Sequence, residues 1–136
     1  MTLDRRDKYI LHECRELAQE IALREEGLVE LSTKTIGSPN MDGMPRGSGT
    51  HSASDSRLIQ IEKYERDLER DKRRLERLRR DARGAIKPLK VAQRVFYEEY
   101  FVQAQKAHVA RLMAGISQRT MTNYLSEARI DKEIGP

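Results

Sequence analysis

Tryptophan is absent, cysteine occurs once, and no apolar run approaches the length that a bilayer demands. The lone Cys14 rules out an internal disulfide, and its place in an apolar helical stripe marks it as a small buried hydrophobe. His12, His51 and His108 have neither a cysteine pair nor a spaced second histidine, so no zinc site and no other metal or cofactor is expected. No Ser-His-Asp or Cys-His set and no convergent carboxylate cluster can be found. The one glycine-rich segment lacks the lysine and the preceding strand that a nucleotide loop requires, so catalytic residues are expected to be none and the chain is not read as an enzyme. A basic-then-apolar leader is also missing. The expectation is a cytoplasmic protein with no membrane partner.

What the chain has in abundance is charge. Charged residues make up 35% and hydrophobic ones 38%, with aromatics at 5% and a mean hydropathy of -0.77. That balance describes a helical, highly solvated protein with little material for a large interior. At 136 residues the chain holds one or two small units. The net charge of +4 favours an anionic partner, although 26 basic against 22 acidic residues is a modest excess.

From Thr2 to about Leu31, the residues Leu3, Ile10, Cys14, Leu17, Ile21, Leu28 and Leu31 follow alternating three- and four-residue steps. This is one narrow helical seam, interrupted by Asp7 and Arg24. The stretch from Gly37 to Ser54 is dense in Gly, Pro, Ser and Asn, which favour turns, and a flexible loop is expected over 33–56. A second long helix is expected from a cap near Ser54 to Ser56 as far as Arg83. Ile61, Leu68, Leu75 and Ala82 recur every seven residues, with Tyr64, Leu78 and Ala85 between them and Asp71 as the polar break. Glu62–Arg66, Glu69–Arg73 and Glu76–Arg80 stand in the favourable order for ion pairs one turn apart. The two helices predict a long antiparallel hairpin over 1–83, a coiled-coil-like stem too narrow to cover its own apolar stripe. A second copy is therefore expected to complete a bundle, making the chain a homodimer.

Gly84 to Pro88 reads as a hinge, with Gly84 breaking the helix and Pro88 suited to the first turn of the next. Arg73, Arg74, Arg77, Arg79, Arg80 and Arg83 make the end of the second helix basic. A solvated helix terminus matched to its dipole and a phosphate-contacting surface both fit that run. Beyond the hinge, Leu89, Ala92, Val95, Phe96, Tyr100 and Val102 supply the apolar face of a third helix. Tyr97, Tyr100 and Phe101 read as core or edge rather than as a base-stacking platform.

The segment from His108 to Ala128 reads as helix, tight turn, helix. Ala114-Gly115 supplies a residue able to take a positive φ, Ile116 plugs the angle, and Ser117 caps the second helix. With the third helix above it, this predicts an all-α protein ending in a small trihelical helix-turn-helix head over 89–136. Met121, Leu125 and Ala128 form one apolar face, expected to pack on Val109, Leu112 and Met113. Gln118, Arg119, Thr122, Asn123 and Ser126 then form the polar face. Arg, Gln and Asn can make paired hydrogen bonds to base edges in a major groove, and Ser and Thr suit phosphates. Arg111 stands where such turns usually place a small residue, with Ala110 one position earlier, which points to an extra residue in the entry to the turn.

Ser38-Pro-Asn-Met-Asp-Gly-Met-Pro-Arg-Gly-Ser48, then a charged helix, then Val95-Phe-Tyr-Glu-Glu-Tyr-Phe101 before the terminal helix-turn-helix, resembles the ArpU-like transcriptional regulators of Gram-positive phages and prophages. Asp42-Gly-Met-Pro-Arg-Gly47 is the most specific part of the resemblance. The terminal unit is also similar to region four of bacterial sigma factors, which grips promoter DNA. The group generally has a longer spacing between the alanine and the capping serine, and Ala110 to Ser117 fits it. Nothing resembles the polymerase-binding region two of a sigma factor. The resemblance implies a phage- or prophage-encoded regulator acting in the host cytoplasm.

These features together predict a dimeric regulator that binds double-stranded DNA through Lys106, Ser117, Gln118, Arg119, Thr122, Asn123 and Ser126. Of these, Ser117, Arg119 and Lys106 are assigned to phosphates. The competing expectation is a coiled-coil adaptor that binds host RNA polymerase or another protein.

Overall fold

A computed structural model describes residues 3–36 and 49–130, and among them the chain is all-α with no strand. The order is α1 (Arg5–Ile36), α2 (Gly49–Ile86), α3 (Val91–Tyr97), a π-helical turn (Glu98–Val102), α4 (Ala107–Ala114) and α5 (Gln118–Glu127). No helix of the described residues is long and apolar enough to cross a membrane.

Helix α1 starts where Asp4 Oδ1 accepts the Asp7 N–H at 2.8 Å, satisfying one of the donors that a helix start leaves without a partner. It runs past Ser32-Thr33 to Ile36, and α2 begins at Gly49, ahead of the expected cap. The loop expected over 33–56 is thus shortened from both ends. Residues 37–48, which carry the Asp42–Arg46 motif, lie outside the described residues.

Gly84 does not break α2, contrary to expectation. Ala82 and Ile86 flank it with relative exposures of 0% and 2%, and a Cβ at Gly84 would meet nothing within 4 Å. A mid-helix glycine costs about 1 kcal/mol, whereas full burial of an isoleucine is worth roughly 1.5–3 kcal/mol, so the helix continues. The chain turns instead at Lys87-Pro88, because proline disfavours helical backbone in the residue before it. Pro88 is likewise outside the first turn of α3, whose N-cap is Lys90.

The chain divides into two compact units, one formed by 1–19 with 74–136 and the other by 20–73. The hinge expected at 84–88 therefore falls inside the first unit. Its core is Leu11, Cys14, Ile86, Phe96, Tyr97, Phe101 and Val102, all with less than 2% exposure. Leu11 stands off the narrow seam read from the sequence. It is buried because the start of α1 is covered over a broad face here. Arg15 shows this: Nη1 donates to the Gln105 carbonyl at 2.8 Å and to that of Tyr100, while the guanidinium carbon lies 3.9 Å over the Tyr100 ring. Burial pushes the Cys14 thiol up, outweighing Arg79 and Arg83, which keeps it an unreactive packing group.

The π-helical turn inserts one extra residue, with Gln103 N–H reaching Glu98 O at 2.9 Å. The chain leaves it through Ala104 at φ 56°, in the left-handed region. Arg79 Nε donates to the Val102 carbonyl at 3.2 Å, and Arg83 grips Glu98 through Nε at 3.2 Å and Nη2 at 3.0 Å. Burial raises the Glu98 carboxyl, but Arg83 and Gln103 together outweigh it and hold the group below its ordinary range.

The second unit has much less interior. Ile21 and Leu68 are buried, while Leu23, Val29, Leu58, Ile59 and Tyr64 are all at least half exposed. Arg24 Nη1 meets Asp71 Oδ2 at 2.5 Å, and Lys72 Nζ meets Glu25 Oε2 at 2.6 Å. The expected pairs Glu62–Arg66, Glu69–Arg73 and Glu76–Arg80 do not close among the described residues. Each offers only about 0.2–0.5 kcal/mol, too little to fix two long exposed side chains.

Candidate nucleic-acid interface

Helix α4 ends at Gly115, with φ 66° and ψ 36°. Gly115 N–H bonds Leu112 O at 3.1 Å and Ile116 N–H bonds Arg111 O at 3.2 Å, the paired pattern of a Schellman cap. A Cβ at Gly115 would meet nothing within 4 Å, so glycine is demanded by the backbone conformation alone. Ser117 Oγ then accepts the Thr120 N–H at 3.1 Å and caps α5 as expected. Ala110 is fully buried, which suits the longer entry to the turn. Arg111 has a task that the sequence did not disclose: its Nη1 donates to the Ile116 carbonyl at 3.2 Å, bracing the turn from within.

The packing expected inside the unit is realised in part. Ala128 is buried and Met121 and Leu125 are half-buried, but Leu112 and Met113 are 63% and 55% exposed. Helix α4 directs its Ala110 face onto α3 and the π-helical turn, which leaves Leu112 and Met113 on the outside.

Helix α5 is held from below by residues distant in sequence. The Tyr97 hydroxyl donates to the Tyr124 carbonyl, and Gln93 Nε2 donates to the Tyr97 hydroxyl at 3.1 Å and to Glu127 Oε1 at 3.0 Å. Burial above all pushes the Tyr97 hydroxyl up to about 12. From α1, His12 Nε2 meets the Ala128 carbonyl at 2.9 Å, and the ring stands edge-on to Phe101 with centroids 5.0 Å apart. A carbonyl can only accept, so Nε2 carries a proton here. Gln93 and Tyr97 are one helical turn apart and so legible as a pair, whereas nothing local in the sequence announces His12, 116 positions from its partner.

The outward face of α5 carries all five residues expected there. Gln118, Arg119, Thr122, Asn123 and Ser126 are exposed, as are Lys106 and Ser117 at the two N-caps. Thr122 Oγ1 donates back to the Gln118 carbonyl at 3.0 Å, and Ser117 Oγ is occupied by its cap and by Thr120 Oγ1 at 3.0 Å. Among the described residues, Lys106, Gln118, Arg119, Asn123 and Ser126 have no side-chain hydrogen bond or ion pair. No carboxylate occurs between Glu99 and Glu127, while Lys106, Arg111 and Arg119 lie in that interval. The local field is therefore positive, although the chain as a whole is nearly balanced.

The arginine run of α2 is split in its use. Arg74 pairs with Glu13 at 3.5 Å, Arg79 with the Val102 carbonyl and Arg83 with Glu98. Arg73, Arg77 and Arg80 are exposed and unpaired among the described residues. Half of the run thus serves the fold.

Comparison with protein-family models, with curated proteins and with solved structures gives no match.

Proposed function

We propose that the chain is a sequence-specific DNA-binding transcriptional regulator, encoded by a phage or prophage and acting in the host cytoplasm. In this reading α3, α4 and α5 form a trihelical helix-turn-helix head, α5 lies in a major groove, and the helical segments of 20–73 form an antiparallel stem that dimerises. The observation that carries it is the outward face of α5: Gln118, Arg119 and Asn123 stand exposed and without an intramolecular partner on a helix whose opposite side is fastened. Arg can bond guanine, and Asn and Gln can bond adenine, through two parallel hydrogen bonds. Lys106, Ser117 and Arg119 supply phosphate contacts, and Thr122 and Ser126 extend the same face. The resemblance of the terminal unit to sigma region four agrees with this use.

The test is fluorescence anisotropy with duplex DNA as salt rises from roughly 50 to 200 mM, over which phosphate-driven binding weakens steeply. The wild-type chain is expected to bind with a strong salt slope, and the double variant Arg119→Ala/Asn123→Ala to lose specific binding with unchanged helicity. Full affinity in that variant contradicts the assignment of the face.

The exposure of Leu112 and Met113 favours a second reading, in which the head contacts a protein such as host RNA polymerase. Binding of that kind would be insensitive to Arg119→Ala/Asn123→Ala and to salt, and sensitive to Leu112→Ser/Met113→Ser.

A further inference from the structure

The unit 20–73 contains an apolar groove of about 430 Å³, lined by Leu23, Gly27, Leu28, Leu31, Tyr64 and Leu68, with Arg24 at its edge. Leu23 is 68% and Tyr64 50% exposed, so the groove opens to solvent. Its floor, Leu28 and Leu68, also lines a second depression whose rim carries Glu25, Glu65, Glu69 and Lys72. The two depressions differ in chemistry, and the first is the apolar one.

Two observations say what covers it. Gly27 sits inside α1 where glycine disfavours the helix, takes no positive φ, and a Cβ there would meet nothing within 4 Å. No neighbour within the described residues and no backbone geometry calls for glycine at this point. The bare backbone instead lets another helix approach closely. The second observation is charge. A partner related by a two-fold axis places each patch opposite itself, so any uncompensated charge would face its like. Arg24, the one charged residue lining the groove, is neutralised by Asp71 at 2.5 Å. A nucleic acid or an acidic peptide would need a free cation at this place, whereas a second identical groove needs none.

We infer that this groove is the homodimer interface, filled by the same groove of a second copy, with Gly27 as the point of closest helix approach. The inference deepens the dimeric reading above and rests on it for the stoichiometry. It is tested without DNA, so its failure leaves the assignment of α5 untouched.

The experiment is sedimentation velocity of the full chain between roughly 1 and 100 µM, wild type against Gly27→Gln, with thermal melting followed by circular dichroism. Glutamine is a better helix former than glycine and has open space in the single chain. The expected result is a wild-type species of twice the 15.8 kDa chain mass, and a Gly27→Gln species of single mass with undiminished helicity. Ile59→Gln, an exposed position outside the groove, is expected to leave the dimer intact. A wild-type chain that stays single at 100 µM overturns the inference. So does a Gly27→Gln dimer of unchanged affinity, which would place the contact elsewhere, and so does a Gly27→Gln chain that melts earlier while both proteins are single, which would mean that the chain's own residues fill the groove.

Discussion

Arg24 and Asp71 are each a charged break in an apolar heptad seam, one on α1 and one on α2, and the two breaks meet at 2.5 Å. The guanidinium is 35% and the carboxylate 17% exposed, so the pair is half withdrawn from water. Removing one partner leaves the other without compensation, while removing both leaves two more seam positions to pack. Asp71→Leu and Arg24→Leu are each expected to lower stability by about 1–2 kcal/mol, and the double variant to recover most of that loss. Urea unfolding of the four proteins measures the cycle. Additive losses in the double variant would show that the two residues do not act as a pair.

The Tyr97 hydroxyl ties α3 to α5 by a bond to Tyr124 O, and its proton is held up to about 12. A tyrosine whose folded value lies above its unfolded value of about 10 contributes stability that is complete below pH 10 and disappears as pH rises toward 12. Tyr97→Phe is expected to cost about 1 kcal/mol near neutral pH, a fall of a few degrees in Tm. The gap between the two proteins should close between pH 10 and 12. A gap that stays constant through that range contradicts the role given to the hydroxyl.

Glu98 is linked to Arg83 and Gln103 and held below the ordinary carboxylate range. A depressed carboxylate contributes stability that is present above its unfolded value of about 4.3 and lost as pH falls through the folded value. The pair is partly solvated, so Glu98→Gln is expected to cost no more than about 1 kcal/mol at pH 7. That difference should vanish below pH 4. Chemical denaturation at pH 7, 5 and 3.5 reads it, and an undiminished difference at pH 3.5 would count against the account.

Ala104 and Gly115 both occupy left-handed backbone, at φ 56° and 66°. An L-residue pays roughly 1–2 kcal/mol there, which glycine avoids at some cost in chain entropy. Ala104→Gly is therefore expected to raise stability by up to about 1 kcal/mol, and Gly115→Ala to lower it by about 1 kcal/mol. The open space around Gly115 makes this a test of backbone conformation alone. Opposite shifts in Tm confirm it; a loss in both variants does not.

The features legible in the sequence are those set by local chemistry. The all-α class, the two long helices, the Gly115 turn, the Ser117 cap and the outward position of Arg119 and Asn123 all follow from patterns within a few turns of chain. What was missed depends on distant neighbours. Gly84 stays helical because Ala82 and Ile86 are buried, Leu11 enters the core off the expected seam, and Leu112 and Met113 point outward because Ala110 takes the contact. The π-helical turn over Glu98–Val102 is held at its end by Arg15 and Arg79, which come from the other two helices of that unit. His12 beneath α5 belongs to the same class.

The most direct test of the central claim is selection from a random duplex DNA pool by the full-length chain, with excess competitor, in parallel with Arg119→Ala/Asn123→Ala. The account predicts that wild type enriches a defined site, contacted through the face from Gln118 to Ser126, and that the double variant enriches none. No enrichment by wild type, or the same site enriched by both proteins, would contradict it.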